Sequence, residues 1–426
     1  MDALTSTKHD HSQNSHHLED PVIIKYQDLM IDPENATLIF HPLFSKAFGG
    51  LESSNPSTSS NAPLGLIAIS GIPSFVNQKQ NLFQKVYKLA NLPDSYLETN
   101  LTDPRSMYNA GWSRGKEKLG DKPDQHKASF YFNPVTDLPG SKEDREQYPT
   151  SYPCNLWPEN SLVEGFKDSA TGLGCLMKKV VAMFAGHLDV FVRNCHINQM
   201  EKGKNSVDRD LENLKSSFCM SMGKEMKQTE KVKGRILYYF PLPKKGSLSS
   251  VNKADSWIGW HCDSGFLTAL AGDAYLLHET GEFMEPNLVD PQAGLHVLDR
   301  NSVVRKINIP QHCMGIQIGE CLQILSGGMV VATPHCVKGA DPNWMNSSNE
   351  CENMPVARIS FPCFIDTVPS FSLSAPKWCP RNEVLKKSIK SNKIPPLEKR
   401  WVNDGMAFGE FLQKTFSMYY DWSLKV

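Results

Sequence analysis

From Gly234 to Ile365 the chain is a succession of short apolar segments parted by turn residues: GRILYYFPLP, WIGWHCDSG, FLTALAGDAYL, AGLHVLD, VVRKINIP, MGIQIG, GGMVVATPH and ARISFPCFI. Each can supply a strand, and none carries the longer periodicity of a helix. Many short strands with regular turn signals predict a barrel or jelly roll.

Helical patterns flank this region. Leu162, Phe166, Leu173, Met177, Val181, Phe184, Leu188 and Phe191 recur mainly at spacings of three and four, which predicts a long helix over 161–196. Leu82, Val86 and Leu89 predict another over about 77–91, and two more patterns fall at about 381–390 and 403–421. PVIIKYQDL and LGLIAISGIP read as short strands, the second following a Ser/Asn-rich loop at 52–62 and ending at Gly-Ile-Pro. Residues 93–160 show no clear period and read as long loops with short elements. The expected organisation is a disordered polar tail over 1–20, an amino-terminal subdomain over 21–232, a β domain over 233–376 and a helical extension over 377–426.

Composition narrows the function. With 45 Lys+Arg against 46 Asp+Glu the formal net charge is −1, so no basic stripe invites nucleic acid. Forty per cent hydrophobic and 21% charged residues are ordinary globular proportions. No apolar run is long enough to span a membrane, and the first seventeen residues lack the apolar core of a secretory leader. Eleven cysteines without a CxxC pair read as reduced thiols, which together point to a cytoplasmic protein. The Asn-x-Ser/Thr matches at Asn35, Asn100 and Asn346 then read as chance, and His9, His11, His16 and His17 as part of a solvated tail.

The chemistry gathers at Trp260-His261-Cys262-Asp263-Ser264-Gly265. On an extended strand residues i and i+2 share a side, so His261 and Asp263 can aim an imidazole and a carboxylate at one point. A second histidine, His335, follows 74 residues later in Thr333-Pro334-His335. Two histidines and one carboxylate form the facial set of non-haem Fe(II) oxygenases, which leaves coordination positions open. His187-Leu188-Asp189 repeats the HxD spacing on the long helix, where i and i+2 diverge by about 200° and cannot meet at one ion. His296 reads as structural or pocket-lining, and His278 and His312 as turn residues. Tetrahedral zinc fails for want of HExxH or paired cysteines. Twenty-three residues beyond His335, Arg358-Ile359-Ser360 puts a guanidinium fork and a hydroxyl on one face of a strand, a combination that suits a buried carboxylate.

Taken in order, these segments resemble the isopenicillin-N-synthase-like branch of the plant-type Fe(II)/2-oxoglutarate-dependent dioxygenases. WHCDSGFLTAL is similar to that family's H-x-D-x-G-x-L-T segment. AGLHVLD and IQIGECLQILSGG are similar to its A-G-L-Q-V and I-G-D-x-L-Q-x-x-S-N-G segments. ATPHCV resembles the distal-histidine strand, ARISFPCFI the R-x-S strand and GRILYYFPLP the R-x-N-Y-Y-P-P segment. Upstream, PVIIKYQDL and LIAISGIP resemble its P-V-I-D-L and G-I-P elements, so the likeness runs from about 21 to 370.

The resemblance implies an α+β protein with a mainly β core: a double-stranded β-helix, or jelly-roll barrel, flanked by helices, with the 161–196 helix supporting it from outside. It implies His261, Asp263 and His335 as Fe(II) ligands. Arg358 and Ser360 would hold the distal carboxylate of 2-oxoglutarate, and Tyr239 would reach it. The implied activity is oxidation of a small organic substrate, by hydroxylation or desaturation, with O2 and 2-oxoglutarate as co-substrates and release of succinate and CO2. Leu237 stands where the family often has Asn, and 341–356 is a polar insertion. Residues 93–160 and 200–232 match poorly, and such loops shape substrate pockets. Two alternatives share the fold: an iron oxidase that does not use 2-oxoglutarate, and a catalytically silent jelly-roll binder. Neither the substrate nor the oligomeric state is legible in the sequence.

Overall fold

The computed structural model describes residues 18–49, 62–116, 118–119, 122–123, 125–202, 220–242, 257–341, 344 and 355–419. The His9–His17 cluster, nearly all of the 52–62 loop, Asn346, most of the 341–356 insertion and the 203–219 part of the 200–232 loop lie outside these residues.

The architecture is mixed α/β. Among the described residues, eight strands make the larger sheet, in the order Val22–Lys25, Leu66–Ser70, Met314–Ile318, Leu267–Leu277, Val356–Ile365, Val232–Tyr239, Lys127–Phe132 and Gly111–Arg114. All neighbours in it are antiparallel except the first pair. Five strands make the smaller sheet, ordered Leu18–Glu19, Val304–Ile307, Gly294–Leu298, His335–Lys338 and Ile258–His261. A cavity of about 920 Å³ is lined by residues of both sheets and of the Phe75–Ala90 helix.

The long helix runs Phe166–Lys202, starting and ending later than its apolar pattern predicts. Gly165, with φ +62°, stops it from beginning earlier, and Leu162 lies outside it, 43% exposed. Phe166, Leu173, Met177, Val181, Phe184, Leu188 and Phe191 are all buried. The helix packs against the Thr37–Phe48 and Phe75–Ala90 helices and touches the Leu267–Leu277 and Val356–Ile365 strands. It thereby backs the larger sheet. His187 and Asp189 serve structure here. His187 Nε2 is 3.1 Å from the Leu29 carbonyl, its ring stacked on Phe40. Asp189 accepts from the Met222 and Gly223 amides at the start of the Met222–Gln228 helix.

Two parts of the fold depart from the periodicity. Lys127–Phe132 is buried at every position, so the alternation that marks a half-buried strand is missing from its sequence. The Thr37–Phe48 helix carries Pro42 in its interior, yet buries Phe40, Phe44 and Phe48 on one face at spacings of four. At the other end, the extension contributes the Arg381–Lys386 helix, shorter than its pattern suggests, and the Phe408–Tyr419 helix, which starts later than its pattern does. It is locked down by fully buried Trp401 and by a bidentate pair between Arg400 and Glu320.

Candidate metal centre and its cavity

His335 opens its strand directly opposite His261, the last residue of the neighbouring one, and the ring centroids are 4.2 Å apart. The Ile258–His261 strand has one extra residue against its partner, so Ile258 and His261 both line the cavity. Asp263 lies two residues beyond the strand end, outside the strand. Its carbonyl accepts from the Glu320 amide at 2.8 Å, and Asp366 Oδ1 accepts from the Phe266 amide at 3.0 Å. Gly265 allows that second contact, since a Cβ there would stand 2.1 Å from Asp366 Oδ1.

Asp263 Oδ1 lies 4.0 Å from His261 Nε2 and 3.7 Å from His335 Nε2. The three residues each offer a ligand atom within 4.8 Å of the others, the distances of groups ready to share one cation. Each imidazole is oriented from behind. His261 Nδ1 is 2.9 Å from the Gly259 carbonyl, and His335 Nδ1 is 3.0 Å from that of Thr333. A carbonyl can only accept, so both Nδ1 atoms carry the proton and both Nε2 lone pairs face Asp263. Burial, reinforced by His335 alongside, holds the His261 imidazole well below the usual histidine range, hence neutral. Asp263 Oδ2 is buried without a hydrogen-bond partner. An orphaned carboxylate oxygen beside two inward lone pairs fits a divalent cation.

Arg358, Ser360 and Tyr239 line the same cavity. Arg358 is the cross-strand partner of Tyr239 on one side and of Tyr275 on the other. Its guanidinium lies 4.9 Å from the Tyr239 ring centroid. Ser360 pairs with Leu237, so the residue that replaces the expected Asn also faces the cavity. Among the other histidines, His296 is fully buried and bonds the Gly294 carbonyl through Nδ1. His278 Nδ1 meets the Tyr238 hydroxyl at 2.9 Å, whereas His312 is exposed and contributes to the cavity wall.

Sequence reasoning passes over Asp273. Its Oδ2 accepts from Arg358 Nε at 2.9 Å. The pairing with Val356–Ile365 shifts by one residue between Leu270 and Asp273, and Gly272 has φ +83° there. That bulge brings Asp273 into line with inward-facing Ser360, where strict alternation from Thr268 and Leu270 would turn it outward. Burial is the largest influence and opposes charge on Arg358, but Asp273, Tyr239 and Tyr275 around it together hold the guanidinium above its ordinary value. Lys79 and Lys306 also line the cavity, each shifted downward by burial. Lys79 Nζ donates to the Gln311 backbone and side-chain oxygens, and Lys306 Nζ to the Pro291 and Ala293 carbonyls.

No protein-family model matches the chain, and no curated protein matches its sequence. Solved structures do match. A 2OG-Fe(II) oxygenase family protein from Caulobacter crescentus superposes with a TM-score of 0.58 at 15% identity, covering 95% of this chain and 100% of that one. Full-length Neurospora crassa T7H in complex with alpha-KG gives 0.54 at 18% identity, with 93% and 96% covered. The rice dioxygenase for auxin oxidation gives 0.51 at 14%, with 94% and 96% covered. The chain shares the fold of 2OG-Fe(II) oxygenases.

Proposed function

We propose that the protein is an Fe(II)- and 2-oxoglutarate-dependent dioxygenase that hydroxylates or desaturates a small organic substrate, consuming O2 and releasing succinate and CO2. The observation that carries this reading is the convergence of His261, Asp263 and His335 in the cavity that Arg358 and Ser360 also line. A facial set of two imidazoles and one carboxylate leaves room on the metal for a chelating keto acid and dioxygen.

In this reading His261 Nε2, His335 Nε2 and Asp263 hold the metal, and the Gly259 and Thr333 carbonyls keep both imidazoles aimed. When bound, Fe(II) supplies the redox chemistry that joins keto acid, dioxygen and substrate. Arg358 binds the distal carboxylate of 2-oxoglutarate, Ser360 adds a hydroxyl donor and Tyr239 flanks the guanidinium. Arg358 Nη1 is buried without a partner, so a carboxylate arriving there satisfies a donor that the fold leaves open. Leu270, Leu295, Val337 and Phe361 in the cavity wall keep water from the reacting centre.

We read the two sheets as the halves of a double-stranded β-helix centred on 233–376, with 21–232 as the amino-terminal subdomain and 377–426 as a helical brace. A cavity of about 920 Å³ suits a small molecule beside the keto acid. Among structures of the same fold, T7H is found with thymine and JOX2 with 2OG, Fe and JA, which supports a small organic substrate here.

The test is turnover of 2-oxoglutarate itself. Iron-loaded protein in air should form succinate, slowly alone and faster with a substrate. Oxygen uptake with a substrate but without succinate would make the protein an iron oxidase of the same fold instead.

A further inference from the structure

A guanidinium can take a carboxylate along two edges, the side made by Nε with one Nη or the end made by both Nη atoms. In Arg358 the side edge is in use, because Nε donates to Asp273 Oδ2 at 2.9 Å. On the end edge, Nη1 is buried without a partner. The arrangement is built in. The bulge at Gly272 turns Asp273 inward, and Tyr239 and Tyr275 flank Arg358 as cross-strand partners. Opposite, Gly294 carries no side chain, and a Cβ there would stand 3.1 Å from the Tyr275 hydroxyl and 3.8 Å from Asp273 Oδ2.

We propose that Asp273 is a positioning residue for the co-substrate: its carboxylate holds the Nε edge of Arg358 and thereby reserves the Nη edge for the distal carboxylate of 2-oxoglutarate. This rests on the functional reading above and extends it to a residue that touches neither metal nor keto acid. A carboxylate so close to an anion site also repels the incoming charge. What distinguishes positioning is that the hydrogen-bond acceptor matters more than the negative charge.

The experiment is anaerobic calorimetry of 2-oxoglutarate binding to Mn(II)-loaded wild type, Asp273→Asn and Asp273→Ala. The amide oxygen of Asn can still accept from Nε, so Asp273→Asn should bind 2-oxoglutarate as tightly as wild type or more tightly. Asp273→Ala frees the guanidinium to turn and should bind at least about fivefold more weakly, the loss of roughly one aligned hydrogen bond. 2-Oxobutyrate, which chelates metal but has no distal carboxylate, should bind all three alike. That control separates a lost anchor from lost folding or lost metal. Tighter binding by both variants would mean Asp273 only repels, and unchanged binding by Asp273→Ala would mean it does not position Arg358. Either result overturns the inference while leaving the functional reading intact. Equal weakening of 2-oxobutyrate and 2-oxoglutarate would overturn it as well, as a general structural effect. Wild-type protein that holds Mn(II) and ignores 2-oxoglutarate overturns the functional reading and this inference together.

Discussion

Glu320 and Arg400 form a bidentate ion pair with side chains 4% and 0% exposed, and the Glu320 amide at the same time holds the carbonyl of Asp263. The carboxy-terminal extension is thus tied through one buried pair to the loop that carries a candidate metal ligand. Removing one partner of such a pair leaves a buried charge uncompensated, at a cost of about 3–5 kcal/mol. Arg400→Ala should lose that much in urea unfolding, and an Arg400→Met, Glu320→Leu double variant should recover part of it.

The ligand set predicts a contrast between two HxD pairs. His261→Ala, Asp263→Ala and His335→Ala should each lose tight Fe(II) binding, measured as metal retained after gel filtration, while circular dichroism stays native. His187→Ala removes the contact with Leu29 and the stack on Phe40, so it should lower the melting temperature and leave metal content unchanged.

Phe184 is fully buried, with its ring edge-on to Phe44 and Phe48. Phe184→Ala should destabilise the protein by about 3–5 kcal/mol in denaturant titration. An unchanged midpoint would mean that the long helix does not seat its apolar face in this core.

Asp189 gives the stability a definite pH dependence. Burial, only partly offset by the Gly223 and Met222 amides, pushes its carboxyl up to about 7 from an ordinary value of 3.8. The folded state therefore holds the proton more tightly than the unfolded one. The resulting stabilisation is complete below about pH 4 and is lost as pH rises through 7. Measured against Asp189→Asn, which cannot titrate, wild type should lose about 2–4 kcal/mol of relative stability between pH 4 and 8. A difference that stays flat across that range would place the carboxyl at its ordinary value.

What could be read from the sequence was what depends on local spacing. The H-x-D segment, the distal His335 and R-x-S each sit on or beside one strand, so chain order alone exposes them. The long helix is legible because one face is buried along its length, and its start is not, because Leu162 is apolar yet stands before Gly165. Asp273 was hidden by the bulge at Gly272, which shifts the inward phase by one residue. The Gly-Asp pair inside an apolar strand was the available signal. Lys127–Phe132 was hidden because both its faces are buried, and the tie from Arg400 to Glu320 because long-range pairing leaves no local mark.

The central claim is that the triad and Arg358 serve one metal-bound keto acid. Anaerobic addition of 2-oxoglutarate to the Fe(II)-loaded protein, followed by visible absorption, tests it most directly. Wild type should develop a saturable charge-transfer band of the iron–keto acid chelate. Arg358→Lys keeps the charge but loses the fork, and should need at least about tenfold more 2-oxoglutarate to reach the same band. Ser360→Ala should need about two to ten times more. Protein that binds Fe(II) at His261, Asp263 and His335 and develops no band at any 2-oxoglutarate concentration would contradict the account.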